Sequence, residues 1–165
     1  RRIGNYKWAE IKLFEALDGY EGDLVIAGMR GWKFEPVLQA IQQSPKAARI
    51  HCLEYVEESL LPGLYAGADL FVFPSLYEGF GFTPLEAMSY GTPVLSSAGG
   101  SLPEVLGRAA AVVPTWEVDA WRAEAQALLA DEGRREALRG AGLERVKQFR
   151  WEETAARTWD VYRGL

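Results

Sequence analysis

Short apolar runs alternate with amphipathic ones through the first two thirds of the chain. DLVIAG (23–28), ARIHCL (48–53), DLFVFP (69–74), TPVLSS (92–97) and AAAVVP (109–114) are brief, apolar and partly β-branched. Such runs predict strands buried on both faces of a parallel sheet. The stretches 8–17, 34–43, 57–67, 83–90 and 101–106, before and between them, predict helices. The alternation indicates an α/β domain on a doubly wound parallel sheet. Right-handed crossovers in such a sheet gather the carboxyl ends of the strands on one edge, where ligands bind.

The remainder, 117–165, is helical in pattern only. Trp121, Ala125, Leu128 and Leu129 recur at helical spacing, and Leu138, Leu143, Val146 and Phe149 follow. Gly133, Gly140 and Gly142 are expected to interrupt this tail. Its final segment, WEETAARTWDVYRGL, sets Trp151, Ala155, Trp159 and Tyr162 on one face. Two uses of that stripe are open: packing on the sheet's own helices, or a face prepared for a second domain. At the other end, RRIGNYKW enters a helix pattern with no strand before it, so a first strand is expected to be cut away. No internal repeat or low-complexity linker divides the chain, and 1–165 is expected to be one domain.

Composition narrows the chemistry. The 165 residues are 48% hydrophobic and 25% charged, ordinary for a globular protein. No apolar run approaches the ~20 residues of a membrane span. The single Cys52 rules out an internal disulfide, fits a reducing compartment and makes the cytoplasm the expected location. With His51 the only histidine, no zinc ligand set is available, and no metal site is expected. His51 lies inside an apolar run and is expected to be a strand or core residue. A net charge of −5 argues against nucleic-acid binding. A phosphate needs only a local cluster of cations. Arg1, Arg2, Lys7 and Arg30 would supply one, or would be solvated surface charges.

The stretch YEGFGFTPLEAM (77–88) follows the third strand and so falls at the ligand edge. Gly79 and Gly81 permit positive φ and close backbone approach. A helix is expected to start here, with Thr83 as N-cap, Pro84 first and Glu86 third. Its free N–H groups would make an anion site. Thr83-x-x-Glu86 is also a capping box, which by itself accounts for Glu86. Glu78 has no such structural explanation. Flanked by Tyr77, Phe80 and Phe82, its carboxylate needs polar partners. Sugar hydroxyls would serve, and a solvated loop position is the alternative.

Glu78, seven intervening residues, then Glu86, with GFG inside and PLEAM after, resembles the E-x7-E signature of retaining GT-B glycosyltransferases of family GT4. LVIAGMRGW, LPGLYAGADLFVFPSLYEGFG, EAMSYGTPVLSS and SLPEVLGRAA resemble that family's C-terminal domain in order and spacing. The resemblance covers nearly the whole chain. It implies a Rossmann-like domain, the C-terminal half of a GT-B fold with a helical tail.

It also implies roles. Glu78 would contact hydroxyls of the transferred sugar. The backbone N–H groups of Phe80, Gly81, Phe82 and Thr83 would face sugar and diphosphate, and Glu86 would hold the ribose. Arg2 and Lys7 match the family's cation pair on the diphosphate, and Gly28 would let the chain pass close to phosphate or ribose. The base would lie at CLEYV, with Tyr55 as its contact. Glu54 stands there where the family commonly has glycine. No divalent metal or other cofactor is implied. The substrate would be a GDP- or UDP-linked sugar, donated to an acceptor hydroxyl. The acceptor-binding N-terminal domain would be the missing partner, and any membrane association would belong to it. The alternative is a non-catalytic nucleotide-binding or interaction module on the same fold. A dinucleotide dehydrogenase is disfavoured, because AGMRGW offers only G-x-x-G.

Overall fold

The computed structural model describes residues 6–28 and 34–164. Strand β1 (Leu24–Ala27) pairs in parallel with β2 (Ile50–Leu53), from Leu24 opposite Ile50 to Ala27 opposite Leu53. A second parallel ladder has the order β3 (Phe71–Phe73), β4 (Val94–Ser97), β5 (Ala111–Val113). Each strand lies within an expected apolar run.

Successive residues of a strand point to opposite faces. On β4, Leu95 enters one apolar cluster and Val94 another. The first cluster joins the two ladders, since Ile26 and Ile50 share it with Leu95, Ala111 and Val113. Helices α1 (Tyr6–Ala16) and α6 (Val118–Ala130) close it with Ile11, Phe14, Trp121 and Leu128. The second cluster sets Ala87 and Met88 of α4 (Phe82–Ser89) against Leu102, Val105 and Leu106 of α5 (Leu102–Leu106). Helices thus cover both faces of the β3–β4–β5 ladder, as in a doubly wound fold.

Burial along the strands departs from expectation. Only β4 is buried along its whole length, whereas β1 and β2 alternate and leave Val25 and Leu53 exposed. The two remaining crossover helices are α2 (Glu35–Gln43) and α3 (Leu61–Ala66). The latter is shorter than the expected 57–67. Pro62 tolerates only a first-turn position, so the helix cannot begin as far upstream as 57.

The tail continues as α7 (Glu132–Val146) and α8 (Trp151–Arg163). The glycines do not interrupt it; α7 runs through all three. Gly142 is buried against α4, where a Cβ would lie 3.0 Å from the Met88 Cγ, so its small size permits the close approach of the two helices. Asp131 caps α7 by accepting the Arg134 N–H at 2.9 Å. The Arg145 guanidinium donates to the Val105 and Glu104 carbonyls at 2.8 and 2.6 Å, satisfying groups at the end of α5. In α8 every residue is exposed, Trp151, Trp159 and Tyr162 included. The aromatic stripe therefore does not pack on the sheet's own helices. Among the described residues no helix is long and apolar enough to cross a membrane.

Candidate functional site

Glu78 lies in the loop between β3 and α4, half-buried rather than solvated. The hydroxyl of Ser75, itself 1% exposed, donates to its Oε1 at 2.6 Å. The Glu78 backbone bridges to Gly100 in the loop after β4, and the Ser101 N–H donates to the Glu78 carbonyl at 3.0 Å. The Ser101 hydroxyl donates to the Phe80 carbonyl at 2.7 Å. Gly100 has φ +62°, and a Cβ there would sit 2.3 Å from the Glu78 carbonyl oxygen. Two loops at the carboxyl ends of adjacent strands are thus laced together. Sequence reasoning missed Ser75, Gly100 and Ser101. The Gly99-Gly100 pair, one residue after TPVLSS, was the available signal.

Helix α4 begins two residues earlier than expected. Gly81, at φ +106°, is its N-cap, so Thr83 and Pro84 stand second and third within the helix. The capping box does not form: among the described residues no side chain caps the helix, and Glu86 accepts from the Tyr65 hydroxyl at 3.2 Å instead. A glycine cap leaves the first-turn donors open. Among the described residues no acceptor meets the N–H of Phe80, Gly81, Phe82 or Thr83. Open donors at a helix N-terminus favour an anion.

A cation stands at the carboxyl end of β1. Lys7 donates to the Gly28 carbonyl at 3.0 Å, with its ammonium 5.0 Å from the Phe34 ring centre. Gly28 has φ +120°, and its N–H donates to the Leu53 carbonyl at 3.1 Å. The structure therefore brings Lys7 and Gly28 together. Arg2, Arg1 and Arg30 lie outside the described residues. Tyr55 follows β2 and is 74% exposed.

One turn after Lys7, burial pushes the Glu10 carboxyl up to about 8, against the pull of the lysine. His51 is a strand residue but not a core one. Its exposed ring meets the Asp23 carboxylate at 2.8 Å, which holds Asp23 below the usual carboxylate range. An open cleft of about 680 Å³ runs between α4 and the start of α8. Phe80, Phe82 and Glu86 line it with Phe149, Trp151 and Arg157, while Lys7, Gly28, Tyr55 and Glu78 do not.

A cation fixed at the carboxyl end of β1, and open amides beside a held carboxylate past the end of β3, suit an anion joined to a polyol. The family model for glycosyl transferases group 1 matches residues 10–145. The chain belongs to that family. It is 42% identical over 142 residues to the O-antigen chain mannosyltransferase B of Escherichia coli, covering 86% of this chain and 37% of that protein. To the MMP alpha-(1->4)-mannosyltransferase of Mycolicibacterium hassiacum it is 37% identical over 125 residues, covering 68% and 28%. This family member thus spans about a third of the length of those relatives. A sucrose-phosphate synthase of Thermosynechococcus elongatus superposes with a TM-score of 0.83 at 28% identity, over 96% of this chain and 42% of that one. Anabaena HepE, solved in complex with UDP and glucose, superposes with a TM-score of 0.84 at 18% identity, over 100% and 47%. The fold is the Rossmann-like α/β arrangement of GT-B glycosyltransferase structures.

Proposed function

We propose that this family member is the donor-binding half of a retaining, GT4-type glycosyltransferase. The observation that carries the proposal is the glycine-capped N-terminus of α4, its open amides following directly on a carboxylate held by Ser75. The diphosphate of a nucleotide sugar sits against those amides and Lys7, which Arg2 supplements. Glu78 accepts hydroxyls of the sugar, Glu86 those of the ribose, and Tyr55 contacts the base. Negative charge grows on the diphosphate as the sugar departs. Donors already in place stabilise that charge more in the transition state than in the ground state. The acceptor hydroxyl attacks from the leaving-group face, and the departing phosphate takes its proton.

The relatives' names favour mannose as the transferred sugar and disfavour the non-catalytic alternative. The acceptor belongs to a second, N-terminal domain, and the exposed stripe of α8 is the surface on which that domain rests. Transfer proceeds in the cytoplasm without a divalent metal. Thermal unfolding of the chain with GDP-mannose or UDP-glucose, in EDTA, tests the binding half. A ligand at a hundred times its Kd stabilises by about 2.7 kcal/mol. No stabilisation by any nucleotide sugar refutes the proposal, and sugar transfer by this chain alone refutes the division of labour.

A further inference from the structure

Glu86 projects from the exposed face of α4, where a glutamate would ordinarily sample many rotamers. Here it does not stand alone. The Tyr65 hydroxyl, from α3, donates to its Oε2 at 3.2 Å. The Tyr65 ring is itself clamped. It stacks on Tyr90, the C-cap of α4, with centroids 5.6 Å apart and planes 7° from parallel. The edge of Phe71 on β3 closes from another side at 5.7 Å. The Tyr65 carbonyl accepts the Thr92 hydroxyl at 2.6 Å, which fixes the backbone beneath the ring. Burial and the Glu86 charge push the phenol up to about 12, so at neutral pH it remains a donor.

We propose that Tyr65 is a positioning residue for the nucleotide's ribose. It occupies one oxygen of Glu86 and leaves the other oxygen and the remaining lone pairs aimed at the vicinal hydroxyls of the sugar ring. A carboxylate accepts through both oxygens, so one donor from the protein does not exhaust it. Tyr65 acts through Glu86, since its hydroxyl is spent on that carboxylate. This inference rests on the assignment of Glu86 to the ribose.

The test is a chemical cycle. The chain and its Tyr65→Phe and Glu86→Gln variants are titrated by calorimetry with UDP, GDP and their 2′-deoxy and 3′-deoxy analogues. The wild type is expected to prefer the ribonucleotide by about tenfold, the scale of one hydrogen bond to a charged group. Glu86→Gln should abolish most of that preference. Tyr65→Phe should lower it about threefold, a part of the same bond strength, while leaving deoxynucleotide affinity and the unfolding temperature unchanged. If Tyr65→Phe weakens both nucleotide forms alike, or leaves the preference intact, the positioning role is wrong and the Glu86 assignment survives. If Glu86→Gln leaves the preference intact, or no nucleoside diphosphate binds, the ribose assignment fails and takes the role of Tyr65 with it.

Discussion

Gly100→Ala should break the lacing between the glutamate loop and the loop after β4. The added methyl would stand 2.3 Å from the Glu78 carbonyl oxygen and 3.0 Å from the Glu78 nitrogen. Carbon–oxygen contacts of this kind normally stay beyond about 3.3 Å, so one loop must retreat by about 1 Å. The positive φ adds about 1–2 kcal/mol of backbone strain for a non-glycine residue. Retreat also disrupts the two bonds from Ser101, each contributing about 0.5–1.5 kcal/mol. The sum is about 2–5 kcal/mol. At this chain length each kcal/mol moves the midpoint by about 2–4 °C, which predicts a fall of about 10 °C in thermal unfolding followed by circular dichroism. Gly140→Ala is the control. A Cβ there meets nothing within 4 Å and the position is inside α7, so it should stabilise by about 0.5–1 kcal/mol. A Gly100→Ala chain as stable as wild type would show that the two loops do not approach as described.

Lys46 donates to the Phe14 and Leu17 carbonyls at 2.9 and 2.6 Å, at and just past the end of α1. Lys46→Met should cost about 1–3 kcal/mol in urea unfolding, and an unchanged midpoint would deny those bonds. The double change Trp151→Ser and Trp159→Ser should leave stability within about 0.5 kcal/mol, because α8 is exposed throughout. A loss of several kcal/mol would mean that the stripe packs within this chain. The Glu10 carboxyl is raised in the fold from 4.5 to about 8. The unfolded chain therefore releases this proton first, and the contribution to stability falls as pH rises from about 4.5 to about 8. Glu10→Gln should flatten that slope in denaturant titrations across the window, and an identical slope in the variant would contradict the desolvation of this half-buried carboxyl.

The strand centres were legible because buried strands leave compact apolar runs that survive errors at their ends. The start of α4 was not. Thr83 and Glu86 form a good local capping signature, but Gly81 can adopt the left-handed conformation that opens the helix earlier, and the long-range bond from Tyr65 claims Glu86. The pairing of Gly100 with Glu78 joins residues in two different loops, and no local pattern encodes it. In α7, each glycine costs about 1 kcal/mol relative to alanine, yet the helix persists. Gly142 gains contact with Met88 because it is small, so tertiary packing outweighs local preference. The stripe of α8 was visible as a face, and spacing cannot say what a face meets. Among the candidate site residues, Lys7 with Gly28 and Glu78 with the amides of Phe80 and Gly81 were named from the sequence. Ser75 and Ser101, which hold the Glu78 loop, were not.

Calorimetric titration of Lys7→Ala and Glu78→Gln, each against a nucleoside diphosphate and its sugar conjugate, separates the phosphate and sugar ends of the proposed site. Lys7→Ala should weaken both ligands by about tenfold, the loss of one charge-assisted bond. Glu78→Gln should weaken the nucleotide sugar alone and leave the diphosphate untouched. Wild-type affinity for both ligands in both variants would contradict a donor site at this edge, as would an equal loss of both ligands in Glu78→Gln.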